Sequence, residues 1–143
     1  MVARIVRAVG AVLLGMVIAT SLAAAPASAA YSYEWDEGVL SQGPIGGSFY
    51  CINTDYSEAC FRPDGDVIYV LDLSSADHNS AVARWVTDYG RWGTCRNANG
   101  AGTWVTCNKN FKEGAQLGMV ATQYDGTTDS WWGPETSREW IIT

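Results

Sequence analysis

The chain has 143 residues, with fifteen acidic and nine basic side chains and a formal net charge of −6. This charge repels phosphate backbones and anionic membrane surfaces, and no cluster of Lys or Arg forms a basic patch, so we expect neither nucleic acid nor a membrane as partner. The chain has one histidine, and none of its four cysteines follows the Cys-x-x-Cys spacing of zinc sites. We therefore predict no metal ion and no cofactor.

Residues 1–29 have the pattern of a secretory signal peptide. Two arginines precede an apolar run from residue 8 to about residue 19, and an Ala27-x-Ala29 cleavage pattern follows. The run is shorter than the roughly 20 apolar residues that a membrane-spanning helix needs, although an uncleaved anchor is the alternative. We expect residues 30–143 to form one secreted, extracellular domain. It keeps all fifteen acids but only seven bases, which gives a net charge of −8.

Four cysteines lie in this exported part: Cys51, Cys60, Cys95 and Cys107. An even number of cysteines in a small secreted domain indicates disulfides, here two, and three pairings are possible. We favour Cys51 with Cys60 and Cys95 with Cys107, because each pair brackets a turn-rich segment of a length that closes a hairpin. Each closed loop would stabilise the fold by about 2 to 3 kcal/mol in the chain-entropy model.

Strand patterns follow one another along the exported part, without a convincing helix. Residues 31–48 are rich in glycine and are predicted to form an irregular arm. β-branched and aromatic residues or alternating apolar residues predict strands over 66–73, 81–87, 93–97, 103–107, 115–124 and 139–142. The arms 93–97 and 103–107 are predicted to pair as a hairpin. Residues 108–114 form a polar connection with one apolar plug, Phe111, and 127–134 have the composition of a loop.

Short strands at spacings near ten to fifteen residues, with Gly, Asn and Asp between them, are typical of an all-β fold. We predict a small disulfide-stabilised β-sandwich or barrel. No internal repeat or long linker divides it, so a single domain is expected.

No known catalytic arrangement emerges from the sequence. His78 lies in a polar loop beside Asp77, but neighbours on a turn rarely point at one another, and no Gly-x-Ser-x-Gly motif is present. Asp77 and Asn79 are expected to form local turns with the backbone instead. We assign no catalytic residue and predict a protein that is not an enzyme; a small secreted hydrolase that uses an acid pair is the second alternative.

Aromatic residues give the sharper functional signal. All seven Trp, seven Tyr and three Phe lie after residue 30. Trp85, Trp104 and Trp140 fall inside predicted strands, where packing accounts for them. Trp131 and Trp132 are adjacent in a predicted loop, so their side chains should point in opposite directions, and Trp92 is a second loop-borne candidate. An exposed indole on a secreted acidic domain suits the C–H face of a sugar ring. The sequence therefore predicts a carbohydrate or cell-wall binding module that uses Trp131, Trp132 and Trp92.

Two alternatives compete with glycan binding. The loop tryptophans could fold back as lids over a small core. The protein could instead be a secreted protease inhibitor or another protein-binding scaffold, whose rigid loop at 52–59, with Tyr56 as an anchor, would meet a secreted protein partner.

The segments Asp77 to Trp85, Gly90 to Asn97 and Gly102 to Gly114 resemble small secreted proteins of streptomycete-type actinobacteria. The likeness covers the central third of the chain. It implies export and a disulfide-stabilised domain, and it transfers no activity and no catalytic residue.

Overall fold

The computed structural model describes residues 30–75 and 77–143, which form two β-sheets packed face to face; the predicted signal peptide, residues 1–29, lies outside the described residues. The six-stranded sheet contains β1 (Glu34–Glu37), β6 (Ser80–Thr87), β7 (Trp92–Asn97), β9 (Gln116–Asp125), β10 (Ser130–Trp132) and β11 (Glu139–Ile142). The five-stranded sheet contains β2 (Val39–Ser41), β3 (Tyr50–Asn53), β4 (Ser57–Arg62), β5 (Val67–Asp72) and β8 (Trp104–Asn108). The predicted all-β class is confirmed, and of the two predicted architectures it is the sandwich that forms.

The strand order is β1-β7-β6-β9-β10 in the first sheet, with β11 beside β10 along the same edge of β9. The order in the second sheet is β2-β8-β5-β4-β3. Every pairing is antiparallel except that of β1 with β7. No helix in the described part of the chain is long and apolar enough to cross a membrane.

The core lies between the two inner faces, where alternate residues of each strand point inward. In β9 the inward residues are Leu117, Met119 and Ala121, as the sequence pattern predicts, and all three are fully buried. Phe111 closes one end of the sandwich with its ring 5.1 Å from that of Trp85, so the predicted plug is confirmed. The predicted strand 115–124 thus contributes three residues to the core.

Three features join the two sheets along one edge of the sandwich. The chain passes from β1 to β2 at Gly38, where a Cβ atom would lie 2.4 Å from a methyl carbon of Val105, so only glycine fits. The disulfide Cys95–Cys107 joins β7 of one sheet to β8 of the other. Lys109, which follows β8 directly, is buried and forms ion pairs with two acids of β1.

Both favoured disulfides form, but one of the two predicted hairpins is wrong. Cys51 and Cys60 lie opposite each other in the β3–β4 hairpin. Strands β7 and β8, by contrast, belong to different sheets, so the second disulfide bridges the core instead of closing a hairpin. A turn-rich connection of this length can reverse the chain within a sheet or carry it across the sandwich, and its sequence does not distinguish the two.

Two segments predicted without strands contain them. Residues 31–48, predicted as an irregular arm, hold β1 and β2, and the predicted loop 127–134 holds β10. These strands are three or four residues long and lie at sheet edges. Their extended conformation is stabilised by hydrogen bonds to a neighbouring strand, and their own sequence has no strong strand preference.

The outer faces of the two sheets differ. From β2 to β3, at opposite edges of their sheet, the chain crosses the outer face of the five-stranded sheet and covers part of it. Phe49 packs there on Tyr69, with ring centroids 5.8 Å apart, and Gly43 lies against the indole of Trp104. The outer face of the six-stranded sheet instead carries an open cleft.

The two disulfides should contribute differently to stability. Loop closure alone gives each about 2 to 3 kcal/mol. Both cysteines of Cys95–Cys107 are also packed in the main core, whereas in the other pair only Cys60 is buried and Cys51 is exposed. We expect the double variant Cys95→Ala, Cys107→Ala to lose more free energy of unfolding in urea than Cys51→Ala, Cys60→Ala. An equal or smaller loss would show that the bridge between the sheets adds nothing beyond loop closure.

Candidate functional site

The candidate site is a cleft of about 630 Å³ on the outer face of the six-stranded sheet. Of the six aromatic residues that line it, Trp85 is buried in the core. The other five are Tyr33, Trp35, Trp92, Tyr124 and Trp131, and they lie together with the charged residues Arg84, Asp129, Glu135 and Arg138. We call this set the aromatic cleft. Strand alternation explains it: neighbouring positions in register, such as Trp35, Thr94 and Arg84, carry side chains on the same face of the sheet.

The aromatic rings contact one another in a continuous series. Ring centroids are 4.6 Å apart for Trp92 and Tyr33, 6.3 Å for Tyr33 and Trp35, and 6.2 Å for Trp35 and Trp131. Tyr124 packs edge to face against both Trp35 and Trp131, at 4.8 and 5.4 Å. Such tilted and edge-on contacts are the favourable arrangements of aromatic pairs. The rings therefore hold one another in place.

The tryptophans of the cleft keep much of their surface open to solvent. Trp92 is 47% exposed and Trp131 is 40% exposed. The guanidinium of Arg84 lies 4.7 Å from the ring centroid of Trp131, a cation–π contact that covers part of that ring and fixes its position. The solvent-exposed parts of Trp92 and Trp131 therefore form an apolar surface at the side of the cleft.

Both acids of the cleft already have partners. Glu135 forms an ion pair with Arg84, and Asp129 accepts a hydrogen bond from the hydroxyl of Tyr124. That hydrogen bond to a carboxylate raises the pKa of Tyr124 above its ordinary value, because it favours the protonated phenol. The cleft thus combines exposed aromatic rings with polar groups that are held in fixed positions.

Strand β1 places Trp35 on the cleft side of the sheet and the acids Glu34 and Asp36, which form ion pairs, on the opposite side. Glu34 accepts two hydrogen bonds from Arg91, at 2.7 and 3.0 Å, and lies 3.1 Å from Nζ of the buried Lys109. Asp36 is a second ion-pair partner of Lys109. The hydrogen bond from Arg91, assisted by Lys109 and opposed by partial burial, lowers the pKa of Glu34. These pairs hold β1 where Trp35 reaches the cleft.

The structure brings together two of the three tryptophans predicted from sequence. Trp92 and Trp131 line the aromatic cleft, whereas Trp132 points the other way and packs edge-on against Tyr56, at 6.3 Å. Trp132 is 48% exposed, so neither member of the pair folds back as a lid over the core. Trp92 is the first residue of β7 and does not lie in a loop. Trp140, predicted to be core, is 52% exposed because it lies on the outer face opposite Gly118.

Sequence reasoning missed Trp35 and Tyr33. The signal was present, since aromatic and polar residues alternate from Tyr31 to Asp36 with the period of a strand. The glycines that follow led instead to the prediction of an irregular arm.

Other residues considered from the sequence lie outside the aromatic cleft. His78 is exposed in the connection between β5 and β6, and Asp77 accepts a hydrogen bond from the amide of Asn79, which confirms the predicted local turn. Tyr56, in the segment 52–59, lies at the end of the β3–β4 hairpin against Trp132.

Cys51, Glu58 and Cys60 are the one group of potential metal ligands that lie close together in the described part of the chain. Their sulfurs form a disulfide and offer no thiolate.

No protein-family model, no curated protein and no solved structure matches the chain.

The pKa of Glu34 makes stability depend on acidity in a defined range. Because the folded state lowers this pKa, the ion pairs of Glu34 contribute fully above the ordinary value of 4.5 and are lost as pH falls through the folded-state value. We expect Glu34→Gln to cost about 1 kcal/mol at neutral pH and to flatten the decline of stability below pH 4.5. Urea unfolding between pH 3 and 7 measures both effects.

The matched control is Glu37→Gln, because Glu37 pairs with Arg96 at an exposed position of the same strand. It should change stability by less than about 0.5 kcal/mol. The same acid-dependent slope in wild type and Glu34→Gln would contradict the role given to Glu34.

The close approach of β1 to β7 provides a second test. A Cβ at Gly93 would lie 2.3 Å from the carbonyl oxygen of Glu34, so Gly93→Ala must push β1 away from β7. We expect a loss of about 2 kcal/mol or more in urea unfolding. Gly126→Ala is the control, since the one close approach of its Cβ, at 2.9 Å, would be to the flexible end of Arg96, and it should cost much less. Equal losses for the two variants would show that β1 tolerates displacement.

Proposed function

We propose that the protein binds a glycan chain in the aromatic cleft. The observation that carries the proposal is the grouping of partly exposed aromatic side chains from β1, β7 and β10, Trp35, Trp92 and Trp131 among them, along one open cleft. Exposed aromatic surface gathered at a concave site marks a binding site more often than it marks chance exposure. The predicted secretion would bring this surface to extracellular polysaccharides, and two disulfides fit an oxidising compartment.

The chemistry of the cleft suits a sugar better than a purely apolar ligand. The C–H face of a pyranose ring can pack on an indole, while its hydroxyl groups need hydrogen-bond partners in fixed positions. Arg84 and Glu135 supply such partners beside Trp131. Because the rings and the ion pair already hold one another, little conformational entropy would be lost on binding.

Binding is favoured over hydrolysis by the state of the two acids. An acid pair that cleaves a glycosidic bond needs one carboxyl group to give a proton and another to act as base or nucleophile. Here Glu135 is paired with Arg84, and Asp129 accepts the hydrogen bond of Tyr124. Both carboxylates are engaged in contacts that hold the side chains of the cleft in place, and this favours binding over hydrolysis.

The test is retention of the purified protein on insoluble cellulose, chitin and peptidoglycan, alongside Trp92→Ala and Trp131→Ala. We expect retention on at least one polymer, with affinity reduced about tenfold or more in each variant, because each loses a central aromatic contact.

Trp132→Ala is the matched control, since Trp132 is adjacent, similarly exposed and outside the cleft. It should bind like the wild type. Retention that all three variants keep, or that only Trp132→Ala loses, would place the binding surface elsewhere; no retention on any polymer would reject the proposal for these glycans.

A further inference from the structure

We propose, on the basis of the glycan-binding function above, that the aromatic cleft selects glycans that carry a carboxylate and that Arg138 binds that group. Arg138 lies in the segment between β10 and β11 and lines the cleft opposite the side formed by β1. Its guanidinium is a planar group with five donors that matches a carboxylate with two parallel hydrogen bonds.

The side chain of Arg138 is held in position by packing. Gly118 has no side chain, and the aliphatic stem of Arg138 fills the space above it, so that a Cβ at Gly118 would lie 2.8 Å from Cδ of Arg138. The guanidinium carbon lies 6.0 Å from the ring centroid of Trp140, within the range of a cation–π contact. The stem and the head of this arginine are therefore both supported by the sheet before any ligand arrives.

The charge of Arg138 lacks a protein partner. Arg84, Arg91 and Arg96 each form an ion pair with a glutamate. Among the described residues no carboxylate lies within ion-pairing distance of Arg138, although Glu135 and Asp129 line the same cleft. Glu135 instead neutralises Arg84, and Asp129 accepts the hydrogen bond of Tyr124. Arg138 thus places a charge without an ion-pair partner in the cleft, beside aromatic surface.

The net charge of the whole domain limits which acidic glycans fit. Residues 30–143 carry a net charge of −8, which repels a densely charged polyanion. At physiological ionic strength this repulsion is screened beyond about 8 Å, so a single carboxylate that contacts Arg138 directly is affected little. The expected ligand is a glycan with isolated carboxylates among neutral sugars.

The experiment compares each polymer with its own amidated form. Peptidoglycan and a highly methyl-esterified pectin are used untreated and after conversion of their carboxylates to amides, which leaves the sugar backbone unchanged. The proteins are wild type, Arg138→Met, Trp131→Ala and Arg62→Met. Methionine keeps an apolar stem over Gly118 and removes the charge. Arg62, on the five-stranded sheet, also forms no ion pair in the described part and serves as the control arginine.

We expect wild type and Arg62→Met to bind an untreated polymer at least about tenfold more tightly than its amidated form. Arg138→Met should bind both forms with the weaker affinity of the amidated polymer, and Trp131→Ala should bind each form about tenfold or more weakly than the wild type binds it. Urea unfolding midpoints identify any variant that is poorly folded, and Arg138→Lys, which retains the charge without the two-donor geometry, should recover only part of the preference.

Other outcomes separate this proposal from the function on which it rests. Trp131-dependent binding that is equal for untreated and amidated polymers overturns the role of Arg138 and leaves glycan binding intact. A preference for carboxylates that persists in Arg138→Met also overturns it. Absence of binding by wild type to every polymer, here and in the earlier retention assay, rejects both proposals.

Discussion

The side chain of Lys109 is nearly inaccessible to solvent, and a buried charge costs several kcal/mol unless it is paired. Its partners, Glu34 and Asp36, are both on β1, so the folded core can accept Lys109 only if β1 is docked beside β7. Strand alternation then turns Trp35 to the opposite face, into the aromatic cleft. The burial of one cation is therefore coupled to the docking of that side of the cleft, although Lys109 itself does not line the cleft.

The same edge of the sandwich, where three features join the two sheets, supports both the core and the cleft. The crossing at Gly38, the disulfide Cys95–Cys107 and the ion pairs of Lys109 all join β1 and β7 to β2 and β8. On the far side, the segment from β10 to β11 adds Trp131, Glu135 and Arg138 along the edge of β9. The cleft therefore lies between the cross-linked edge of the sheet and a segment packed on β9. Such a site loses little conformational entropy when a ligand binds, which favours recognition by preformed contacts.

Sequence reasoning succeeded where local pattern and core burial agree. The alternation around Leu117, the β-branched run of β5 and the plug Phe111 were predicted because each depends on neighbours in sequence and on burial. It failed at short edge strands and at the course of the chain between sheets. Nothing within residues 93–107 indicates that β7 and β8 belong to different sheets, because the same glycine-rich connection permits either path.

The sequence by itself determined the all-β class, the two disulfides and the presence of more aromatic side chains than a core of this size requires. Only the tertiary structure decided which aromatics meet. Trp35 reaches Tyr124 and Trp131 through a parallel pairing of the first strand with the seventh, a contact between residues far apart in the chain. Such pairings depend on register, on the buried ion pair and on close approach at Gly93, and these are set by the packing of the whole domain and not by any local pattern.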